Sequence, residues 1–202
     1  IITIPTVIGT LFLSSLAGYS LAMHRFKLNL LVFAMFIAGN FVPYQILMIP
    51  VRNISIELGM YNSHLGLIIF HIAFQTGFCT FFLRNFIKEL PFELIEAARA
   101  DGATEWIIYR KIIIPLTIPA LAALGVLEFT FIWNDYFWAL ILTQGDTVKP
   151  ITVGLDVLRG QWTTAWNLVS AGSVVAALPP VIMFFILQRQ FIQGLTFGAV
   201  KG

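Results

Sequence analysis

The chain has 202 residues, 58% of them hydrophobic and 11% charged, whereas a soluble domain runs at about 45–50% apolar and about 25% charged. That composition excludes an ordinary soluble domain, and the net charge of +2 excludes the basic face of a nucleic-acid binder. A single cysteine, Cys79, leaves no intrachain disulfide and no cysteine-built metal site.

About 20 consecutive apolar residues cross a bilayer as a helix, and five stretches of this kind follow one another. The first covers residues 1–23 and ends at His24-Arg25-Phe26-Lys27. It lacks a charged n-region and a small-residue cleavage site, so we expect a span rather than a signal peptide, with upstream sequence before it. The second covers 28–51, closed by Arg52, and the third lies within 61–83, closed by Arg84. The fourth runs from about Pro115 to Leu142 and is interrupted by Glu128 and Asp135. The fifth covers about 168–187, closed by Arg189. In lipid each backbone amide needs an internal partner, which predicts helices; the ten-residue alternation of a barrel is not seen. The expectation is an all-α, polytopic transmembrane bundle in one membrane domain over 1–202.

Loop charge sets the orientation. Placing Arg25, Lys27, the insert at 84–111 and the C-terminal tail on one side gives that side nine of the 12 Lys and Arg residues. That side is expected to be cytoplasmic. Ile1 then lies at the outer face, and a sixth helix is expected before it.

The insert "EAARADGATEWIIYRKIIIP", residues 96–115, is polar and Ala-rich between apolar spans. Pro91 suits a first helical turn, and residues 92–100 are good helix formers with Ile95 and Ala98 on a small apolar face. Asp101-Gly102 reads as a stop with positive φ at Gly102, and Thr104 with Glu105 reads as a new N-cap. Residues 106–114 then re-enter the membrane, with Pro115 loosening the start of the fourth span.

The spacing of this insert resembles the cytoplasmic "EAA" loop of permease subunits of bacterial ATP-binding-cassette importers. That pattern is Glu-Ala-Ala, three residues, Gly, nine residues, Ile, one residue, Leu-Pro. Here it is Glu96-Ala97-Ala98, Gly102, Ile112 and Ile114-Pro115, with Ile114 where Leu is usual. The tail "GLTFGAVKG", 194–202, and "FIWNDYFWAL", 131–140, are similar to the maltose-type carbohydrate branch, with Phe197 where a small residue is more familiar. The resemblance covers essentially the whole chain and implies the type I importer permease fold, in the bacterial cytoplasmic membrane with a cytoplasmic C-terminus. It implies a coupling loop over 89–115, in which Glu96, Ala97, Ala98, Asp101, Gly102 and Pro115 form a docking helix and corner for an ATPase subunit. It also implies a cytoplasmic tail over 189–202. Short, Gly-rich and nearly uncharged, this tail is expected to contact the ATPase dimer through Gly194, Leu195, Thr196, Gly198 and Lys201. The implied partners are a second permease, two ATPase subunits, an extracellular solute-binding protein, a carbohydrate and the bilayer.

No G-x-x-x-x-G-K-[ST] phosphate loop occurs in the sequence. ATP and Mg are therefore expected on the partner ATPases, with no cofactor and no catalysis on this chain. Glu128 and Asp135 are seven residues apart and would share one helix face. One reading has Glu128, Asn134 and Asp135 lining the solute path; the other puts Asp135 at the outer interface and leaves Glu128 to a neighbouring helix. Trp133, Tyr136, Phe137 and Trp138 read as an outer aromatic belt ahead of sugar stacking. His64 and His71 are spaced for packing rather than for a metal. Gly172 and Ala176 suit close helix packing, and Pro179-Pro180 suit a bend. A competing function is an ion-coupled secondary transporter with Glu128, Asp135 and His71 as a proton relay, which leaves the 96–115 spacing unexplained.

Overall fold

A computed structural model of the chain describes residues 1–158 and 164–196, with the backbone alone for 190–196. Its helices in chain order are α1 (Thr3–Met23), α2 (Asn29–Ala38), α3 (Met48–Glu57), α4 (His64–Lys88), α5 (Phe92–Ala100), α6 (Glu105–Ile108), α7 (Ile114–Trp133), α8 (Phe137–Leu142), α9 (Ile151–Val157) and α10 (Trp166–Thr196). Among the described residues four helical stretches are long and apolar enough to cross a membrane: Thr3–Met23, His64–Lys88, Glu105–Trp133 and Trp166–Arg189.

The second predicted span is not one helix. After α2 a 3-10 turn covers Gly39–Phe41, and Val42 is extended at φ −75° and ψ 122°. The cause is Pro43, whose ring disfavours the helical region for the residue before it. The fourth predicted span is also broken. α7 ends at Trp133, and the Asp135 carboxylate accepts the backbone N–H groups of Trp138 and Ala139 at 3.2 and 2.9 Å, starting α8 afresh. Glu128 and Asp135 therefore do not share a face of one helix. The fifth span runs on as α10 through Pro179 and Pro180 to Thr196, so the first part of the expected tail is helical.

α1 packs along α4, and α7 packs against both and against α10. Close approach explains Gly18: a Cβ there would stand 3.1 Å from the Arg84 backbone N. At one end of the bundle Tyr19, Leu83, Ile87, Ile95, Ile108 and Ile113 form a single buried cluster, so α5 and α6 share a core with α1 and α4. At the other end Leu67, Trp138, Leu142 and Val148 form another.

That second cluster corrects the aromatic-belt reading for Trp138. It is 5% exposed and lies 4.3 Å, centroid to centroid, from Phe70. Trp133 stacks on Phe129 and donates its indole N–H to the Ala176 carbonyl at 2.8 Å, joining α7 to α10. Gly172 faces the Leu155 side chain of α9, the close packing its size suggests. Asn62, at φ 54°, accepts the backbone N–H groups of Gln144 and Gly145, each at 2.8 Å, tying the entry of α4 to the exit of α8.

Candidate functional site

The loop over 89–115 folds as a helix, a corner and a second helix. Pro91 caps α5 and Glu93 sits in its first turn, where a carboxylate meets the positive end of the helix. Successive residues step about 100° around the axis, and this turns neighbours to different sides. Ile95 is 1% exposed, and Ala98 packs beside it on the chain's own core. Glu96 and Ala97 face outward. The two alanines therefore differ in exposure: Ala97 is exposed, and Ala98 packs on the bundle core.

At the corner Gly102 has φ +79°, its N–H bonds to the Arg99 carbonyl at 3.0 Å, and that of Ala103 bonds to the Ala98 carbonyl at 2.9 Å. No other atom lies within 4 Å of where a Gly102 Cβ would stand. Backbone conformation, not space, requires the glycine. Thr104 caps the next helix, its hydroxyl accepting the Ile107 N–H at 3.4 Å. α6 then widens into a π turn over Tyr109–Ile113, closed by the Ile114 N–H on the Tyr109 carbonyl. Pro115 follows in the first turn of α7. A proline ring clashes with the carbonyl four residues earlier in an ordinary α turn, here that of Lys111, and the wide turn falls across that carbonyl.

Glu105 joins the loop to α1. The Tyr19 hydroxyl donates to its Oε2 at 2.5 Å, His24 Nε2 stands 3.4 Å from the same oxygen, and Arg99 Nε donates to its Oε1 at 3.0 Å. This bond to Glu105 pushes the Arg99 guanidinium above its ordinary pKa. Alongside, Ser15 Oγ and the Tyr109 hydroxyl are 2.6 Å apart and hydrogen-bonded. Sequence reasoning gave Glu105 only a capping role and passed over Tyr19, Ser15 and Tyr109. The available signal was a polar stripe in an otherwise apolar span: Thr3, Thr6, Thr10 and Ser14, all buried, recur at helical spacing along α1.

The polar residues of the fourth span part company. Glu128 is fully buried and accepts the Cys79 thiol at 3.2 Å. Asn134 is the exposed C-cap of α7. Asp135 lies 3.4 Å from His71 Nε2 and, with His64, His71 and Lys149, lines a cavity of about 300 Å³. Among the described residues no three His, Cys, Asp or Glu side chains gather to hold a metal. Gly194, Leu195 and Thr196 lie in the backbone of α10; Gly198 and Lys201 lie outside the described residues.

Residues 11–197 match the family described as "binding-protein-dependent transport system inner membrane component". The chain is 40% identical over 187 residues to a probable ABC transporter permease protein of Pyrococcus horikoshii, covering 92% of this chain and 68% of that protein. It is 36% identical over 201 residues to the arabinooligosaccharides transport system permease protein AraQ of Halalkalibacterium halodurans, covering 100% and 71%. A similar solved structure is a bacterial ABC transporter involved in the import of the acidic polysaccharide alginate. The TM-score is 0.80 at 25% identity, over 94% of this chain and 71% of that one.

Proposed function

The chain belongs to the family of binding-protein-dependent transport system inner membrane components, as a multi-pass permease subunit of an ATP-driven importer, and we propose that its cargo is a carbohydrate. The support is the similarity to a permease for arabinooligosaccharides and to a transporter for a polysaccharide. The proposed assembly pairs this chain with a second permease, two ATPase subunits that bind and hydrolyse ATP with Mg, and an extracellular binding protein.

The single observation that carries the coupling role is the construction of α5. Ile95 and Ala98 anchor it to the bundle core, while Glu96 and Ala97 stay exposed beside a positive-φ corner at Gly102. In this proposal that outward face, with Asp101, seats in the ATPase subunit, which places the loop and the end of α10 in the cytoplasm. In the same proposal the C-terminal tail contacts the ATPase pair.

For the solute, the geometry favours the elbow at Asn134 and Asp135 over Glu128. Asp135 opens on a cavity, whereas Glu128 is closed in by its own chain. Of the three groups of the ion-coupled alternative, Asp135 and His71 stand 3.4 Å apart, but Glu128 is closed in against Cys79, so the relay is not continuous. The test uses the complex purified through a tag on this chain and reconstituted in vesicles. Uptake of radiolabelled oligosaccharide should require internal ATP and survive a protonophore. Uptake that persists without ATP and collapses with the proton gradient would overturn the reading.

A further inference from the structure

Besides its joint to α4 through residues 89–91 and its packing on the bundle core, α5 reaches the membrane spans along a covalent path through the Gly102 corner, α6 and the π turn into α7. That path contains two compliant points. The corner rests on two backbone hydrogen bonds, at 3.0 and 2.9 Å, and the π turn departs from the regular helix ladder. A second route bypasses both. The Glu105 carboxylate uses one oxygen for Arg99, on α5, and the other for Tyr19 and His24, at the end of α1.

The α1 side of this junction is packed and hydrogen-bonded. The Tyr19 ring is 5% exposed, 5.5 Å from the Tyr109 ring and 5.7 Å from that of His24. The Leu21 carbonyl at the end of α1 accepts from Arg84 Nε at 3.4 Å and from Asn29 Nδ2 at 3.1 Å. From there α1 runs against α4 along its length.

We propose that Glu105 is a positioning residue that makes the His24 end of α1 travel with α5, so that α1 is a second route from the docking helix to the spans. This rests on the coupling-loop reading above. The Arg99 half of the junction adds little stability. Glu105 and Arg99 are 46% and 35% exposed, and an ion pair in such a place contributes little to folding. What the junction supplies is direction: one carboxylate holds two helices in fixed register through charge-assisted bonds.

The experiment uses the whole complex in vesicles and reads solute imported per ATP hydrolysed, a ratio that a general loss of stability does not move. Glu105→Ala should assemble and keep stimulated hydrolysis while the ratio falls about fivefold, within the range of coupling between residues in contact. Tyr19→Phe, which removes only a hydroxyl, should lower the ratio similarly, and the double variant should add little because both break the same link. Glu105→Gln keeps one acceptor oxygen and should lie between Glu105→Ala and the native chain. A normal ratio in Tyr19→Phe, or strictly additive losses in the double variant, would overturn the proposal, even if Glu105→Ala fails to assemble. Gly102→Val separates the two readings. If it impairs transport while the Glu105 and Tyr19 variants stay normal, the α1 route is lost and the docking loop stands. If all three are normal, the docking loop itself is lost.

Discussion

The Cys79 thiol donates to Glu128 Oε1 over 3.2 Å, so the fully buried carboxyl of α7 is answered by a side chain of α4. The second oxygen of Glu128 is buried without a hydrogen-bond partner. An acid in such a place serves its own bundle at a cost, and substitutions there should read out as assembly. Glu128→Gln keeps the shape without a charge and should leave uptake per assembled complex near normal. Glu128→Lys forces a cation against α4 and should abolish assembly, since an unpaired buried charge costs several kcal/mol. Native gels of the membrane extract, scored beside uptake, check this. Full assembly with lost uptake in Glu128→Gln would return Glu128 to the solute path.

Gly102 offers a cleaner perturbation. Its φ of +79° costs a non-glycine residue about 1–2 kcal/mol, with a β-branched side chain worse. Space is open around it, so sterics against the rest of the chain do not confuse the result. Gly102→Asn should be nearly silent, Gly102→Ala mild, and Gly102→Val should lower binding-protein-stimulated ATP hydrolysis and uptake together without changing membrane insertion. ATPase assays with and without binding protein and sugar decide it.

The neighbours Ala97 and Ala98 should fail in different ways. Ala97→Trp adds bulk on the exposed face and should leave the subunit folded while blocking attachment of the ATPase. Ala98→Trp drives the same bulk into the cluster around Ile95 and Ile108. Overpacking of this kind costs about 1–3 kcal/mol or more, so the permease itself should become protease-sensitive. Limited proteolysis and co-purification of the ATPase distinguish the pair, and identical behaviour would contradict the two-faced description of α5.

These residues also show what the sequence could convey. The ends of α5 and the corner at Gly102 were legible because local rules govern them: proline at a helix start, glycine at positive φ, threonine at an N-cap. The two broken spans were not legible from hydropathy, which averages over a break. In both cases one polar or cyclic side chain decided the outcome: Pro43 by its ring, Asp135 by offering its carboxylate to the first turn of α8. The apolar side shared by Ile95 and Ala98 was legible in the sequence, but the exposure of Ala97 beside them needed the direction of the core. The Glu105 junction needed a contact across 86 residues of sequence.

Trp138 gives a prediction for the opposite end of the bundle. Packed with Phe70 at 4.3 Å and with Leu67, Leu142 and Val148, it should behave as a core residue. Trp138→Ala should destabilise the subunit by about 3–5 kcal/mol, read as a fall in the thermal midpoint of the detergent-solubilised complex, with Trp138→Phe recovering most of it. An unchanged midpoint would mean that this aromatic group holds nothing together.

The π turn at Tyr109–Ile113 has a rotational consequence. A π turn takes up about one residue more than an α turn, and one residue is about 100° of azimuth. Side chains before the turn are thus indexed to a different dial setting from those after it, although both belong to one rod. Glu105 and Tyr109, which bond to α1, and Glu128, which bonds to α4, are related by that count rather than by residue number alone. The nine residues between Gly102 and Ile112 therefore count angle as well as length. Removing one residue from the wide turn would restore an ordinary α turn with the segments on either side still in phase, and would set the Pro115 ring against the carbonyl four residues before it.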